Sequence, residues 1–194
     1  VISGNLSSNS PLCDYDDLNI IAPTLSVVSY EWTGPNGYSS TNQDVVINGV
    51  TEADHQGFYT LVVTDFNSGC TSLPLSELVM IASLPDAGMA TNDSPICAGE
   101  SLQLEVQEVF GASYLWTGPN GFSSSIRNPI ITPTDTGTYT VFVTVNNCQS
   151  VYETFVELHP NPVISVIPDT SVALGASIQL WASGGISYEW QPAD

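Results

Sequence analysis

The chain has 194 residues, of which twenty are acidic and one, Arg127, is basic, so its formal net charge is −19. Phosphate backbones are bound through Lys and Arg, so this balance argues against nucleic-acid binding and against docking on anionic lipid. No apolar run reaches the length of a membrane-spanning helix, and no direct membrane insertion is expected. The acidity favours a solvated, self-repelling surface.

Copies of one sequence pattern follow each other along the chain. In both of the first two copies a Ser-Pro-x-Cys string precedes a tryptophan by 19 residues and a second cysteine follows. These landmarks are Cys13, Trp32, Gly57–Thr60 and Cys70 in the first copy, and Cys97, Trp116, Gly137–Thr140 and Cys148 in the second. A third copy begins near Gly175–Leu180 and reaches Trp190. Such self-similarity indicates tandem domains, predicted at 1–83, 84–160 and, in part, 161–194.

Within each copy, apolar residues alternate with polar ones, as in Leu102, Leu104 and Val106. This period predicts strands with one buried face, and the repeated Gly-Pro-Asn-Gly strings predict turns between them. The pattern predicts an all-β fold of tandem immunoglobulin-like antiparallel β-sandwich repeats.

Aromatic residues at repeated positions are predicted to lie in the cores. Trp32 and Trp116 fall where strand C of an immunoglobulin domain carries a core tryptophan, and Trp190 shares that position. Tyr59 and Tyr139 fall where a tyrosine corner leads into strand F, although in the first copy His55 stands where the second has an Asp. Trp181 has no tryptophan counterpart, so we expect it to face outwards or to lie at a domain junction.

The order of these motifs also resembles a known group of proteins. Cys-x-Gly-x-Ser-x-x-Leu, then Tyr-x-Trp-Thr-Gly-Pro-Asn-Gly, then Gly-x-Tyr-Thr-Val and a cysteine after a tight turn are similar to Ig-like and PKD-like repeats of giant Bacteroidetes surface proteins. These include gliding-motility adhesins exported by type IX secretion. Residues 94–158 match best, and residues 10–80 match with Asp14–Asp17 in place of the Gly-containing turn. The resemblance implies an extracellular protein at the bacterial cell surface.

No constellation of catalytic residues is visible in the sequence. Neither His55 nor His159 has a Cys or second His at zinc-ligand spacing, and neither a Gly-x-Ser-x-Gly elbow nor a phosphate-binding loop with Lys is present. We therefore expect no enzymatic activity and no cofactor other than a candidate calcium ion. Asp14, Asp16 and Asp17 cluster beside Cys13, and loop carboxylates are suitable calcium ligands; the alternative is that these acids form turns and keep the surface soluble.

The four cysteines allow two pairing schemes. Repeating positions in a secretion-type sequence predict disulfides, and one bond within each copy would join Cys13 to Cys70 and Cys97 to Cys148. However, Cys97 precedes strand B and Cys148 follows strand F, at opposite ends of a sandwich about 20 Å long. The second scheme therefore joins Cys13 to Cys148 across the junction of consecutive copies and leaves Cys70 and Cys97 to flanking repeats or unpaired.

Two functions are consistent with the sequence. The favoured one is a structural spacer in a long secreted cell-surface adhesin filament that supports adhesion or gliding motility. Its partners would be neighbouring repeats of the same chain, with surface polysaccharide or other cell-surface proteins as further candidates. The alternative is a set of accessory or carbohydrate-binding domains of a secreted hydrolase. Without Lys, no Lys–Asn cross-link can reinforce the chain, so reinforcement would have to come from cysteines, metals or packing.

Overall fold

Residues 5–168 and 170–191 are described by a computed structural model. The fold is all-β, with two successive immunoglobulin-like sandwiches built on one plan, which we call repeat 1 and repeat 2. The strands of repeat 1 are β1 Ser7–Ser8, β2 Leu12–Cys13, β3 Leu18–Ile21, β4 Val28–Thr33, β5 Ser39–Ser40, β6 Val45–Ile47, β7 Gly57–Asp65, β8 Leu75–Val79 and β9 Ile81–Ala82. A single-turn helix, α1 Glu52–His55, precedes β7, and Thr51 caps its first turn by accepting the Asp54 amide proton.

Repeat 2 has the same succession of strands. They are β10 Thr91–Asn92, β11 Ile96–Cys97, β12 Leu102–Glu105, β13 Ser113–Thr117, β14 Ser123–Ser124, β15 Ile130–Ile131, β16 Gly137–Val145, β17 Cys148–Val156 and β18 Leu158–His159. In each repeat a three-stranded antiparallel sheet, β1-β3-β6 or β10-β12-β15, faces a four-stranded one, β5-β4-β7-β8 or β14-β13-β16-β17. A short parallel pair, β2 with β9 or β11 with β18, joins the start of the sandwich to its last strand.

Each repeat encloses its own hydrophobic core. One cluster of buried side chains runs from Leu12 to Ile81 and the other from Ala87 to Val156. Trp32 and Trp116 are both fully buried, where their indole N–H groups donate to backbone carbonyls such as that of Arg127, 2.8 Å away. Val141, which pairs with Trp116 across the sheet, is equally buried, so apolar packing replaces the inter-sheet disulfide of antibody domains.

The repeated Trp-Thr-Gly-Pro-Asn-Gly string shapes the interior of each sandwich. In repeat 2 a Cβ on Gly118 would lie 2.5 Å from the ring of Tyr139, so only glycine permits this contact. Asn120 follows in the left-handed region, with φ of 56°, and donates to Thr134 Oγ1 at 3.0 Å. Phe122 then meets the Tyr139 ring edge-on, with centroids 5.3 Å apart. The most recognisable motif of the sequence is therefore used in packing.

The described residues that follow repeat 2, 161–168 and 170–191, contain one antiparallel strand pair, β19 Ser165–Val166 with β20 Ala182–Ser183. No side chain in these described residues is buried. The expectation that Trp190 lies in a core is wrong, because its side chain is 51% exposed. Trp116 is buried because its strand, β13, pairs with β16 and packs against side chains of β12 in the core. Residue 190 lies in no strand. Trp181 is also 51% exposed.

Candidate functional site: the junction between the repeats

A disulfide bond joins the two repeats. It links Cys13 of repeat 1 to Cys148 of repeat 2, residues 135 apart in sequence, with their Cα atoms 5.5 Å apart. The scheme that pairs cysteines within each repeat is therefore wrong. Cys70 and Cys97 are both free and exposed.

Strand pairing places Cys13 at the edge of repeat 1 that faces repeat 2. Cys13 pairs in parallel with Ala82, the last residue of β9, and the next amide, of Asp14, donates to the Ala82 carbonyl at 2.9 Å. The chain leaves repeat 1 at this point, so we call this end of a repeat the linker end.

Cys148 lies at the opposite end of its own repeat. It opens β17 directly after a two-residue turn, Asn146-Asn147, in which both residues have positive φ of 48° and 70°. Asparagine tolerates this conformation better than most residues, which makes the tight hairpin possible. We call this the hairpin end. The Cys148 side chain is only 2% exposed, and its Sγ lies 3.9 Å from the carbonyl oxygen of Ala82.

A tyrosine fixes the connection between the repeats. Tyr152 Oη donates to the carbonyl of Pro85 at 2.9 Å and accepts from the amide of Ala87 at 2.9 Å. Both partners belong to the segment that leads into repeat 2, and Ala87 is fully buried. Sequence reasoning missed Tyr152, because the register places Leu75 at the equivalent position of repeat 1 and no repeated motif marks it.

The aspartates beside Cys13 hold loop backbone. Asp16 Oδ2 accepts from the Cys13 amide at 2.8 Å, Asp14 Oδ1 from the Glu52 amide, and Asp17 Oδ1 from the Gly49 amide at 3.0 Å. Within the described residues, no three His, Cys, Asp or Glu side chains form a group that could hold a metal ion. Calcium binding by these residues stays a prediction.

The polar residues weighed for catalysis lie in structural positions. His55 ends α1, where its Nδ1 accepts from the Thr51 amide at 3.1 Å and its carbonyl accepts from Tyr59 Oη at 3.1 Å. Burial, and secondarily the nearby Tyr38, raise the pKa of Tyr59 to about 12. His159 pairs with Cys97 in the β11–β18 ladder. Among the described residues, no helix is long and apolar enough to cross a membrane.

A solved structure of immunoglobulin domains shares this fold. The N-terminal eight Ig domains of Down Syndrome Cell Adhesion Molecule (DSCAM) match with a TM-score of 0.60 and 16% identity, over 84% of this chain and 25% of that one. Drosophila OTK extracellular domains 3–5 match at TM-score 0.47 and 13% identity over 80% of this chain and 62% of that one. The titin I-band fragment I67–I69 matches at TM-score 0.43 and 11% identity, over 83% of this chain and 68% of that one. The chain thus spans about a quarter of the DSCAM fragment, and the likeness shows an immunoglobulin-like fold. No protein-family model and no curated protein matches the chain.

Proposed function

We propose that this chain is a spacer segment of a long extracellular filament of immunoglobulin-like repeats, part of a bacterial cell-surface adhesin that supports adhesion or gliding motility. The Cys13–Cys148 disulfide carries the proposal, because it joins consecutive repeats where they meet. Disulfides persist in oxidising compartments, which supports an extracellular location. The bacterial surface and gliding motility rest on the resemblance of the repeated motifs.

The disulfide changes how the chain transmits tension. A force applied to the two ends of the polypeptide passes from Cys13 directly to Cys148, so residues 14–147 lie outside the path of the force. Without the bond, that segment extended at about 3.3 Å per residue would lengthen the protein by about 450 Å. A spacer that holds an adhesive tip at a fixed distance benefits from this limit on extension.

The junction also limits bending. The linker is short and contains Pro85, and Tyr152 binds it on both sides of Asp86. Interfaces between domains are small compared with domain cores, so domain motion is expected unless the junction is reinforced. The disulfide and the tyrosine supply that reinforcement.

The repeated aromatic residues of repeats 1 and 2 present no exposed ring to a carbohydrate ligand. Trp32 and Trp116 are fully buried, and Tyr59 and Tyr139 pack beneath the Gly-Pro-Asn-Gly turns. A sugar-stacking platform requires exposed rings. The geometry therefore supports a structural role in preference to a carbohydrate-binding module, and we expect the chain to hydrolyse no polysaccharide and to show no glycan binding on an array.

The proposal is tested by small-angle X-ray scattering of three proteins. We expect the wild type and the control Cys70→Ser/Cys97→Ser to show the same extended particle with a narrow size distribution. Cys13→Ser/Cys148→Ser should show a broader distribution, because the two repeats then bend about the linker. Identical scattering of all three proteins, or specific hydrolysis or glycan binding by the wild type, would contradict the spacer function.

A further inference from the structure

The exposed Cys97 lies in the same local structure as the bonded Cys13. Cys13 is followed by Asp16, which accepts its amide proton and donates an amide back to its carbonyl at 3.1 Å. Glu100 does the same for Cys97, at 3.0 and 3.1 Å. Each cysteine also pairs in parallel with the last residue of its sandwich, Ala82 or His159. Repeat 2 therefore presents at its linker end the half-junction that repeat 1 uses.

The exposed Cys70 lies where repeat 2 carries Cys148. Cys148 pairs with Val145 at the end of β16, and the carbonyl of Cys70 accepts from the amide of Asp65 at the end of β7. Each cysteine thus lies opposite the last residue of the outgoing strand, although β8 itself begins only at Leu75.

An open groove of about 580 Å³ adjoins Cys70 at this hairpin end. Its apolar walls include Leu73, which is 86% exposed, and Leu75. Leu75 pairs with Leu61 as Tyr152 pairs with Val141, so the register makes the two positions equivalent. In repeat 2 that position binds the linker from the preceding repeat. The groove beside Cys70 therefore occupies, in repeat 1, the position at which repeat 2 binds the linker.

We infer that Cys70 and Cys97 are the two halves of further junctions of the same kind, each completed by another repeat with the complementary end. The groove beside Cys70 receives the linker end of a preceding repeat, and Cys97 receives the hairpin end of a following one. Two copies of this chain contain both halves, so Cys97 of one copy forms a disulfide with Cys70 of the other. The inference rests on the proposed spacer function and names the partner that Cys70 and Cys97 would bind.

The bond forms by ordinary thiol–disulfide exchange. The Cys97 thiolate attacks oxidised glutathione and releases one glutathione thiolate. The Cys70 thiolate then attacks the mixed disulfide and releases the second. The two cysteine thiols lose two electrons and two protons, and one glutathione disulfide is reduced to two thiols. Outside the cell, another low-molecular-weight or protein disulfide would act as the oxidant in place of glutathione.

Such bonds would overlap along a filament. The loop closed by Cys13 and Cys148 spans Cys70 and Cys97, so a bond from either of these to a flanking repeat starts inside that loop. Each sandwich would then lie between two disulfides to neighbours, and no repeat could be pulled out to full length while the bonds hold.

Two single variants test the pairing. Cys70→Ser leaves only Cys97 free, and Cys97→Ser leaves only Cys70 free; both positions are exposed, so both proteins should fold. One variant is labelled with ¹⁵N, because the two variants otherwise have the same mass. The variants are mixed in equal amounts in oxidised and reduced glutathione until exchange reaches equilibrium, and intact mass then distinguishes disulfide-linked heterodimers from the two homodimers. Random pairing gives heterodimers and homodimers in equal total amounts. We expect heterodimers to exceed homodimers by about tenfold, because docking raises the effective concentration of the matched thiols.

A moved thiol supplies the control. Cys70→Ser/Cys97→Ser/Ser76→Cys carries its single free thiol at an exposed position of β8 instead of at the hairpin, and mixed with Cys70→Ser it should give only the random ratio. A random ratio for the Cys70–Cys97 pair as well, or glutathione adducts alone, would overturn the inference. In that case an intact Cys13–Cys148 bond, checked by non-reducing peptide mapping, would leave the spacer function standing. Loss of that bond would instead remove the support for the function.

Discussion

Repeats 1 and 2 have matching interiors but different hairpin ends. In repeat 2 two asparagines turn the chain and Cys148 is 2% exposed. In repeat 1 a longer loop precedes the exposed Cys70, and Asp65 Oδ1 accepts from the amides of Asn67 and Ser68 at 2.9 and 2.8 Å. The hydrogen bonds from Ser68 lower the pKa of this Asp65 carboxyl. The core motif therefore specifies the sandwich, while contact with a neighbouring repeat determines whether the cysteine is buried.

The matching interiors predict equal losses of stability. Trp32→Ala and Trp116→Ala should each lower the free energy of unfolding of their own repeat by about 3–5 kcal/mol, because each leaves a large cavity. Denaturant unfolding with residue-level hydrogen exchange would show the loss in one repeat at a time. Trp181→Ala, at a half-exposed position, should change stability little. A loss at Trp181 as large as at the core tryptophans would break the comparison.

Replacing the glycines of the repeated motif by alanine should destabilise the two repeats by different amounts. A Cβ at position 118 would lie 2.5 Å from the Tyr139 ring, and one at position 34 would lie 2.9 Å from the Tyr59 ring. We expect Gly118→Ala to cost about 1–3 kcal/mol by overpacking and Gly34→Ala to cost less. Thermal or urea unfolding of the two variants measures this, and the reverse order would show that the two interiors are not equivalent.

Tyr152→Phe probes the feature that repeat 1 lacks. The change keeps the ring and removes both hydrogen bonds to the linker, so we expect a loss of about 1 kcal/mol and faster hydrogen exchange of the Ala87 amide. Tyr114→Phe is the matched control, because Tyr114 Oη accepts from the Val109 amide within repeat 2, at 2.8 Å. Equal exchange at Ala87 in both variants would mean that Tyr152 does not hold the linker.

The smallest effect concerns pH. The pKa of Tyr59 is raised from 10.0 to about 12, so the folded state favours the neutral phenol. Its contribution to stability is fully present below pH 10 and is lost as pH rises towards 12. Burial also raises the pKa of Tyr139, so ultraviolet absorbance of tyrosinate should show more than one late-titrating tyrosine, and one of them should disappear in Tyr59→Phe. Titration of every tyrosine near 10 would contradict this burial effect.

Much of the fold could be predicted from the sequence. The two-residue period gave strands, and the shared spacing of Cys13 to Trp32 and Cys97 to Trp116 gave the repeats, because both depend on local order along the chain. The opposite-end placement of Cys97 and Cys148 also followed from strand order. Which pairing scheme holds could not follow, because it depends on how one sandwich meets the next.

Other features depend on contacts that leave no repeated signal. The carboxylates of Asp14, Asp16 and Asp17 bind loop amides, which composition alone does not distinguish from calcium ligation. Tyr59 reaches the carbonyl of His55, a backbone acceptor, so the tyrosine corner needs no Asp at that position. Trp190 shows the converse: a matching motif buries its tryptophan only where partner strands surround it.

Force spectroscopy of the whole chain, pulled from its two ends, tests the central claim most directly. Under oxidising conditions the extension of residues 14–147 should be absent, because the Cys13–Cys148 bond bypasses them. After reduction the fully unfolded protein should gain about 450 Å at 3.3 Å per residue. The same final extension before and after reduction would show that no bond joins the repeats and would contradict the account.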